Sequence, residues 1–169
     1  MIRKIVTIST LALVAGCVSM TGARLDPGAP RAEVEKAMGK PAETVTRPNG
    51  DTLLYYSRMP EGRANFLATI GADGKLRGEV EPLLTRKNIA SVKVGMEAKQ
   101  VRELLGPPSK SGQKTVSVGM DPVQRNVWEY PWTDVSEMRL LYLQFATDGK
   151  LMERADGLDF VADKSKSMP

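Results

Sequence analysis

The sequence predicts an α+β protein made of two tandem repeats, each a short helical segment packed on a three- to four-stranded antiparallel sheet. Three observations carry this reading. The turn GADGKL at Gly71 to Leu76 is written again as ATDGKL at Ala146 to Leu151. The stretch from Gly28 to Pro41 aligns without gaps on Gly95 to Pro108, pairing Gly28 with Gly95, Val34 with Val101, Gly39 with Gly106 and Pro41 with Pro108. Between these marks Leu54 and Tyr56 align with Trp128 and Tyr130, so the separation rises from 67 to 74 to 75 residues along the chain. Rising offsets in an unchanged order are what a duplication with small insertions produces, the larger insertion falling between helix and central strand of the second copy.

The first residues stand apart from both copies. Arg3 and Lys4 form a basic start, and Ile5 to Ala15 (IVTISTLALVA) is an apolar run too short to span a bilayer stably, which is the layout of a secretory signal over residues 1–16. Val14-Ala15-Gly16-Cys17 resembles the bacterial lipobox, in which the cysteine thiol receives a diacylglycerol and becomes the acylated amino terminus. Cys17 is the single cysteine, so an internal disulfide is excluded and the residue is the candidate lipid-attachment site, anchoring the chain to a membrane through acyl chains. Val18 follows it where sorting in this lipoprotein class would place an aspartate for retention, which implies the outer membrane with the protein facing the periplasm. Residues 17–24 then form a tether, 25–84 the first repeat, 85–159 the second, and the polar stretch 160–169 a disordered tail.

Within each repeat the elements follow from local chemistry. Val101, Leu104 and Leu105 recur at helical spacing, as do Val34, Ala37 and Met38. Gly39 and Gly106 suit a left-handed helix cap, and Pro41 and Pro108 stop the helix from resuming. Helices of about nine residues are unstable alone, so both must pack on a sheet. Strands are expected at Thr44 to Arg47, Thr52 to Arg58, Asn65 to Ile70 and Leu76 to Glu81, and again at Lys114 to Met120, Asn126 to Trp132, Met138 to Phe145 and Leu151 to Ala155. The Asn49-Gly50 and Asp73-Gly74 pairs suggest type I′ hairpin turns with positive φ at both residues.

The second copy, through VKVGMEAKQVRELLGPP, NVWEYPW and LYLQFATDGKL, resembles the SmpA/OmlA (BamE-like) family of small outer-membrane lipoproteins. The tandem arrangement is also similar in architecture to the beta-lactamase inhibitor protein. The family resemblance implies an accessory role in assembling outer-membrane β-barrel proteins or in envelope integrity, through contacts with envelope proteins and the β-barrel assembly machinery. The second resemblance implies a periplasmic inhibitor or sequestering module that grips an enzyme.

Composition narrows the chemistry. The chain has 169 residues, 41% hydrophobic and 26% charged, an ordinary globular balance. Arg3 and Lys4 account for half of the +4 net charge, so nucleic-acid binding is not implied. Without histidine, and with Cys17 assigned to lipid, the usual parts of a zinc site or of Ser-His and Cys-His catalysis are missing. The expectation is a binding protein with no enzyme activity, no metal and no cofactor. Alternation along Trp128-Glu-Tyr130-Pro-Trp132 puts three aromatics on one face. Trp128 and Tyr130 align with Leu54 and Tyr56 and belong to the core, whereas Trp132 aligns with Arg58. That pair is expected at a rim where burial is not required, making Trp132 and Arg58 candidates for contact with a partner. Leu141, Leu143 and Phe145 should face the helix. The opposite face then carries Leu140 and Tyr142, against Asn65 and Leu67 in the first copy. Such a face is either a contact between the repeats or a protein-binding surface, and Tyr142, Leu140 and Leu67 are its candidates.

Overall fold

Leu53 to Tyr56 are four consecutive buried residues in one strand, so that strand has no solvent face and the structure is layered around it. The computed structural model describes residues 25–159; the signal segment, Cys17, the tether and the tail expected at 160–169 lie outside the described residues. Helix α1 (Arg31–Met38) precedes strands β1 (Glu43–Thr46), β2 (Thr52–Ser57), β3 (Asn65–Ile70) and β4 (Glu81–Pro82), which form an antiparallel sheet in that order. Helices α2 (Arg86–Ser91) and α3 (Ala98–Leu105) precede a second antiparallel sheet of β5 (Lys110–Val118), β6 (Asp121–Asp134), β7 (Glu137–Phe145) and β8 (Leu151–Leu158). Among the described residues the fold is therefore α+β with two four-stranded antiparallel sheets and three helices.

Each helix is held to its sheet by the apolar stripe expected of it. Val34 and Met38 of α1 pack with Leu54, Tyr56, Ala68 and Ile70 on one face of the first sheet. Val101 and Leu105 of α3 pack with Trp128, Tyr130, Leu141, Leu143 and Phe145 on one face of the second. The DGKL turns dock on the segments that open these helices. Gly28 N–H donates to Leu76 O at 2.8 Å and Leu76 N–H to Ala29 O at 2.8 Å; Gly95 N–H donates to Leu151 O at 2.7 Å and Leu151 N–H to Met96 O at 2.8 Å.

Three expectations need correction. First, the hairpin turns are not type I′. Gly50, Gly74 and Gly149 have positive φ, and the Asn or Asp before each does not. Gly50 N–H donates to Arg47 O, and Arg47 N–H to Asp51 O, which is a type I turn closed by a left-handed glycine; the DGKL turns repeat the pattern. Second, the expected strand from Leu76 to Glu81 is reduced to an isolated bridge between Leu76 and Ile70, followed by the two-residue β4. Gly78, at φ 70°, turns the chain out of the extended conformation. Third, β6 is longer than the expected Asn126 to Trp132, running from Asp121 through Pro131 to Asp134. Pairing with β5 ends at Glu129, so the proline occupies a stretch of β6 bonded to β7 alone and its missing N–H removes no bond to β5.

The second face of the first sheet meets the other half of the molecule. Leu53 and Tyr55 point there, clustered with Leu83 and flanked by Leu67. Asn65, fully buried, donates from Nδ2 to Leu105 O at 2.7 Å and to Pro107 O at 2.8 Å. Tyr130 donates from its hydroxyl to Gly106 O at 3.0 Å. Three successive carbonyls at the end of α3, which have no intrahelical partner, are thus satisfied from two sides. Burial raises the Tyr130 phenol well above its ordinary range, which keeps that donor protonated. Gly106 is required here twice over. Its φ is 75°, and a Cβ would lie 3.1 Å from Asn65 Nδ2 and 3.2 Å from Leu83 Cδ1. Arg63, on the loop before β3, reaches across the same junction and donates from Nη2 to Arg139 O at 2.8 Å and to Asp159 Oδ2 at 2.9 Å.

Replacing Asn65 by Leu keeps the branched shape of the side chain but leaves the Leu105 and Pro107 carbonyls without their donor. Urea unfolding of Asn65→Leu is expected to show a loss of about 2–4 kcal/mol; a loss under about 0.5 kcal/mol, the range of neutral surface changes, would contradict the role given to this side chain.

Candidate protein-binding surfaces

Trp132 was expected at a rim and is instead 2% exposed. Its Nε1 donates to Asp156 Oδ1 at 3.2 Å, and the Arg139 guanidinium lies 5.7 Å from its ring centroid. The physical reason is α2, a helix the sequence reading did not contain. Arg86 of α2 holds both carboxylate oxygens of Asp134 at 2.8 and 2.9 Å, fixing the helix at that end of β6. Ile89 and Val92 then join the cluster that contains Trp132. The local signal for α2 was Thr85, whose hydroxyl accepts from Asn88 N–H at 3.2 Å as an N-cap.

Arg58 is also structural. It is half-buried, and its Nη2 donates to Met38 O at 2.8 Å, satisfying the end of α1 within its own half. Arg58 Nε and the Tyr56 hydroxyl are buried without a hydrogen-bond partner in the structure. The rim pair therefore offers no contact surface. Leu67 lies half-buried beside the junction cluster of Leu53, Tyr55 and Leu83. Its face is the contact between the halves.

Leu140 and Tyr142 do reach a surface. The register puts them on the face of the second sheet opposite α3, with Val127, Glu129 and Pro131 of β6 beside them. Both are half-buried, Val127 and Pro131 beside them are buried, and around them Lys110, Gly112, Lys114, Ala155 and Gly157 are exposed, so the flanks of this outer face are open to solvent. Small residues lie directly opposite the large ones, with Gly157 across from Leu140, Ala155 from Tyr142 and Gly112 from Val127. The result is an apolar ridge with shallow flanks. Lys114 links its parts by donating to Glu129 Oε1 at 2.7 Å while its ammonium sits 5.8 Å from the Tyr142 ring centroid. That contact to Glu129 raises the Lys114 pKa and keeps the ammonium charged.

The second surface is a cleft of about 420 Å³ between β1, the second face of β2 and the exposed side of α3. Leu53 and Tyr55 line its floor, with Val45 and Arg47 on one wall and Lys99 and Glu103 on the other. Arg102 closes one end through its 2.7 Å ion pair with Glu43. Burial raises the Tyr55 phenol above its usual value, with Glu103 adding to the shift and Arg47 opposing it, so the hydroxyl stays neutral. Among the described residues no group of three or more His, Cys, Asp or Glu is arranged to hold a metal ion. Binding through apolar contact, charge and backbone is the chemistry these two surfaces offer.

Neither a protein-family model nor a curated protein matches the sequence.

The burial of Trp132 has a direct consequence. Trp132→Ala is expected to lower stability by about 3–5 kcal/mol, comparable to Trp128→Ala, because both vacate the same cluster. Chemical denaturation of the two variants compares them, and a Trp132→Ala midpoint equal to wild type would place the ring outside the core.

Proposed function

We propose that this chain is a lipid-anchored protein of the bacterial outer membrane, tethered at the periplasmic face through Cys17 and acting by binding proteins. Its body consists of two tandem BamE-like units. The recurrence of the same hydrogen bonds at aligned positions supports the duplication. Gly74 and Gly149 accept alike, from Arg31 N–H and from Ala98 N–H. The hydrogen bonds that open each sheet correspond as well, with Ala42 N–H bonding Tyr55 O and Ser109 N–H bonding Glu129 O.

The role assigned is accessory to the assembly of outer-membrane β-barrel proteins or to envelope integrity, with envelope proteins and the β-barrel assembly machinery as partners and no catalysis. The single observation that carries the binding reading is the outer face of the second sheet, where Leu140 and Tyr142 form an apolar ridge bordered by Lys114 and Glu129. An apolar centre with a polar rim is the anatomy of a protein contact rather than of a solvated sheet.

The test is affinity capture of the full-length protein from detergent-solubilised envelopes. Recovery of assembly-machine subunits, abolished by the double change Leu140→Glu and Tyr142→Glu and dependent on Cys17 for membrane residence, is the expected result. Recovery of a hydrolase instead would favour the inhibitor class. A Cys17→Ala protein that stays membrane-bound at unchanged mass would remove the lipid anchor.

A further inference from the structure

Among the described residues strand β1 is the edge of the first sheet and bonds to β2 alone. Arg47 N–H donates to Asp51 O, so by the alternation of an antiparallel ladder Val45 and Glu43 turn their backbone groups toward β2. Thr44 and Thr46 consequently direct N–H and C=O outward. The other long edges carry charge: Lys110 and Lys114 on β5, and Glu153, Arg154 and Asp156 on β8, whose ladder is also interrupted by a bulge. At its centre β1 reads Thr-Val-Thr, uncharged and β-branched, with Val45 39% exposed.

Depressions flank this edge on both faces. On one side lies the 420 Å³ cleft floored by Leu53 and Tyr55. On the α1 side lies an open polar groove of about 490 Å³, lined by Arg31, Glu35, Lys40, Pro41 and Thr44. Lys40 and Arg47 have no ion-pair partner among the described residues, whereas Arg31 and Arg102 are paired with Glu35 and Glu43. A strand added beside β1 would send alternate side chains into the apolar cleft and the cationic groove.

We propose that β1 is a strand-addition site for an extended amphipathic segment of polypeptide, alternating apolar residues with polar or acidic ones. The main chain of the guest completes the hydrogen bonds of Thr44 and Thr46, its apolar side chains enter the cleft over Leu53 and Tyr55, and its acidic side chains meet Lys40 in the groove on the α1 side. This rests on the protein-binding reading and names the partner's chemistry: the apolar-polar alternation is that of a strand destined for a membrane β-barrel. The site is separate from the ridge of Leu140 and Tyr142, so the two are tested independently.

The probe is a capped, fluorescently labelled decapeptide alternating valine with threonine and aspartate, titrated against the full-length protein and followed by anisotropy. Thr44→Pro and Thr46→Pro remove outward N–H groups while leaving the β1–β2 bonds intact. Each is expected to weaken binding by about tenfold or more at an unchanged unfolding midpoint, while Thr44→Val and Thr46→Val bind as wild type. If a proline variant fails to fold, Lys40→Glu reads the same site, with weakening of about threefold or more expected for the acidic peptide and none for its asparagine analogue. Saturating peptide should also slow hydrogen exchange at the Thr44 and Thr46 amides by tenfold or more.

The proposal is overturned if the peptide does not bind, if proline and valine variants bind equally, or if binding is lost only on changing Leu140 and Tyr142. A dimer of the chain that is abolished by the proline variants and not displaced by peptide would overturn it in favour of pairing between two copies.

Discussion

Leu53, Leu54, Tyr55 and Tyr56 stand side by side in β2, and all four are buried. One helix covers one face of a sheet, so α1 buries Leu54 and Tyr56 and leaves Leu53 and Tyr55 to be covered by something else. Leu83, with Leu67 beside it, supplies that cover, and α3 of the second half walls the cleft above it. Because the two halves meet on this face, the end of α3 must approach Asn65 and Leu83 closely, which is why residue 106 has no side chain. Its carbonyls must then find donors from the first half and from β6, and Asn65 and Tyr130 are those donors. Arg63 adds a charge-assisted tie at the other end of the junction, 13% exposed and paired with Asp159 at 2.9 Å.

This arrangement decides which surfaces remain for partners. Joining the halves through the second face of the first sheet consumes Leu67 and Asn65, yet leaves the outer face of the second sheet uncovered. It also leaves β1 projecting at the edge of the junction, with α3 close enough to wall a cleft but not to fill it. The free edge and the apolar ridge are thus two results of one packing decision. The proposed binding functions divide between them, one using backbone groups and the other side chains.

The apolar periods of α1 and α3, most strand positions and the core roles of Trp128 and Tyr130 were legible because each rests on contacts within one sheet or between a helix and the strands that follow it. Trp132 was misplaced because aligning it with Arg58 carried over an environment that the two do not share. Its burial depends on α2, on Arg139 and on Asp156, none of which has an assigned counterpart in the first copy. Arg63 was invisible for a related reason: its partners lie 69 to 96 residues away in sequence. The four-residue apolar run of β2 was a usable signal of a strand buried on both faces. Of the candidate surface, Leu140 and Tyr142 came from strand alternation alone, whereas the cleft beside β1 could not, since α3 forms its far wall.

If both halves depend on the buried second face of β2, they must unfold together. Native-state hydrogen exchange under rising denaturant tests this most directly, by comparing the amides of β2 and β3 with those of β6 and β7. The account predicts that both sets merge into one opening event with free energies within about 1 kcal/mol of each other. A first sheet that opens separately, at clearly lower free energy and without exposing β6 and β7, would contradict it.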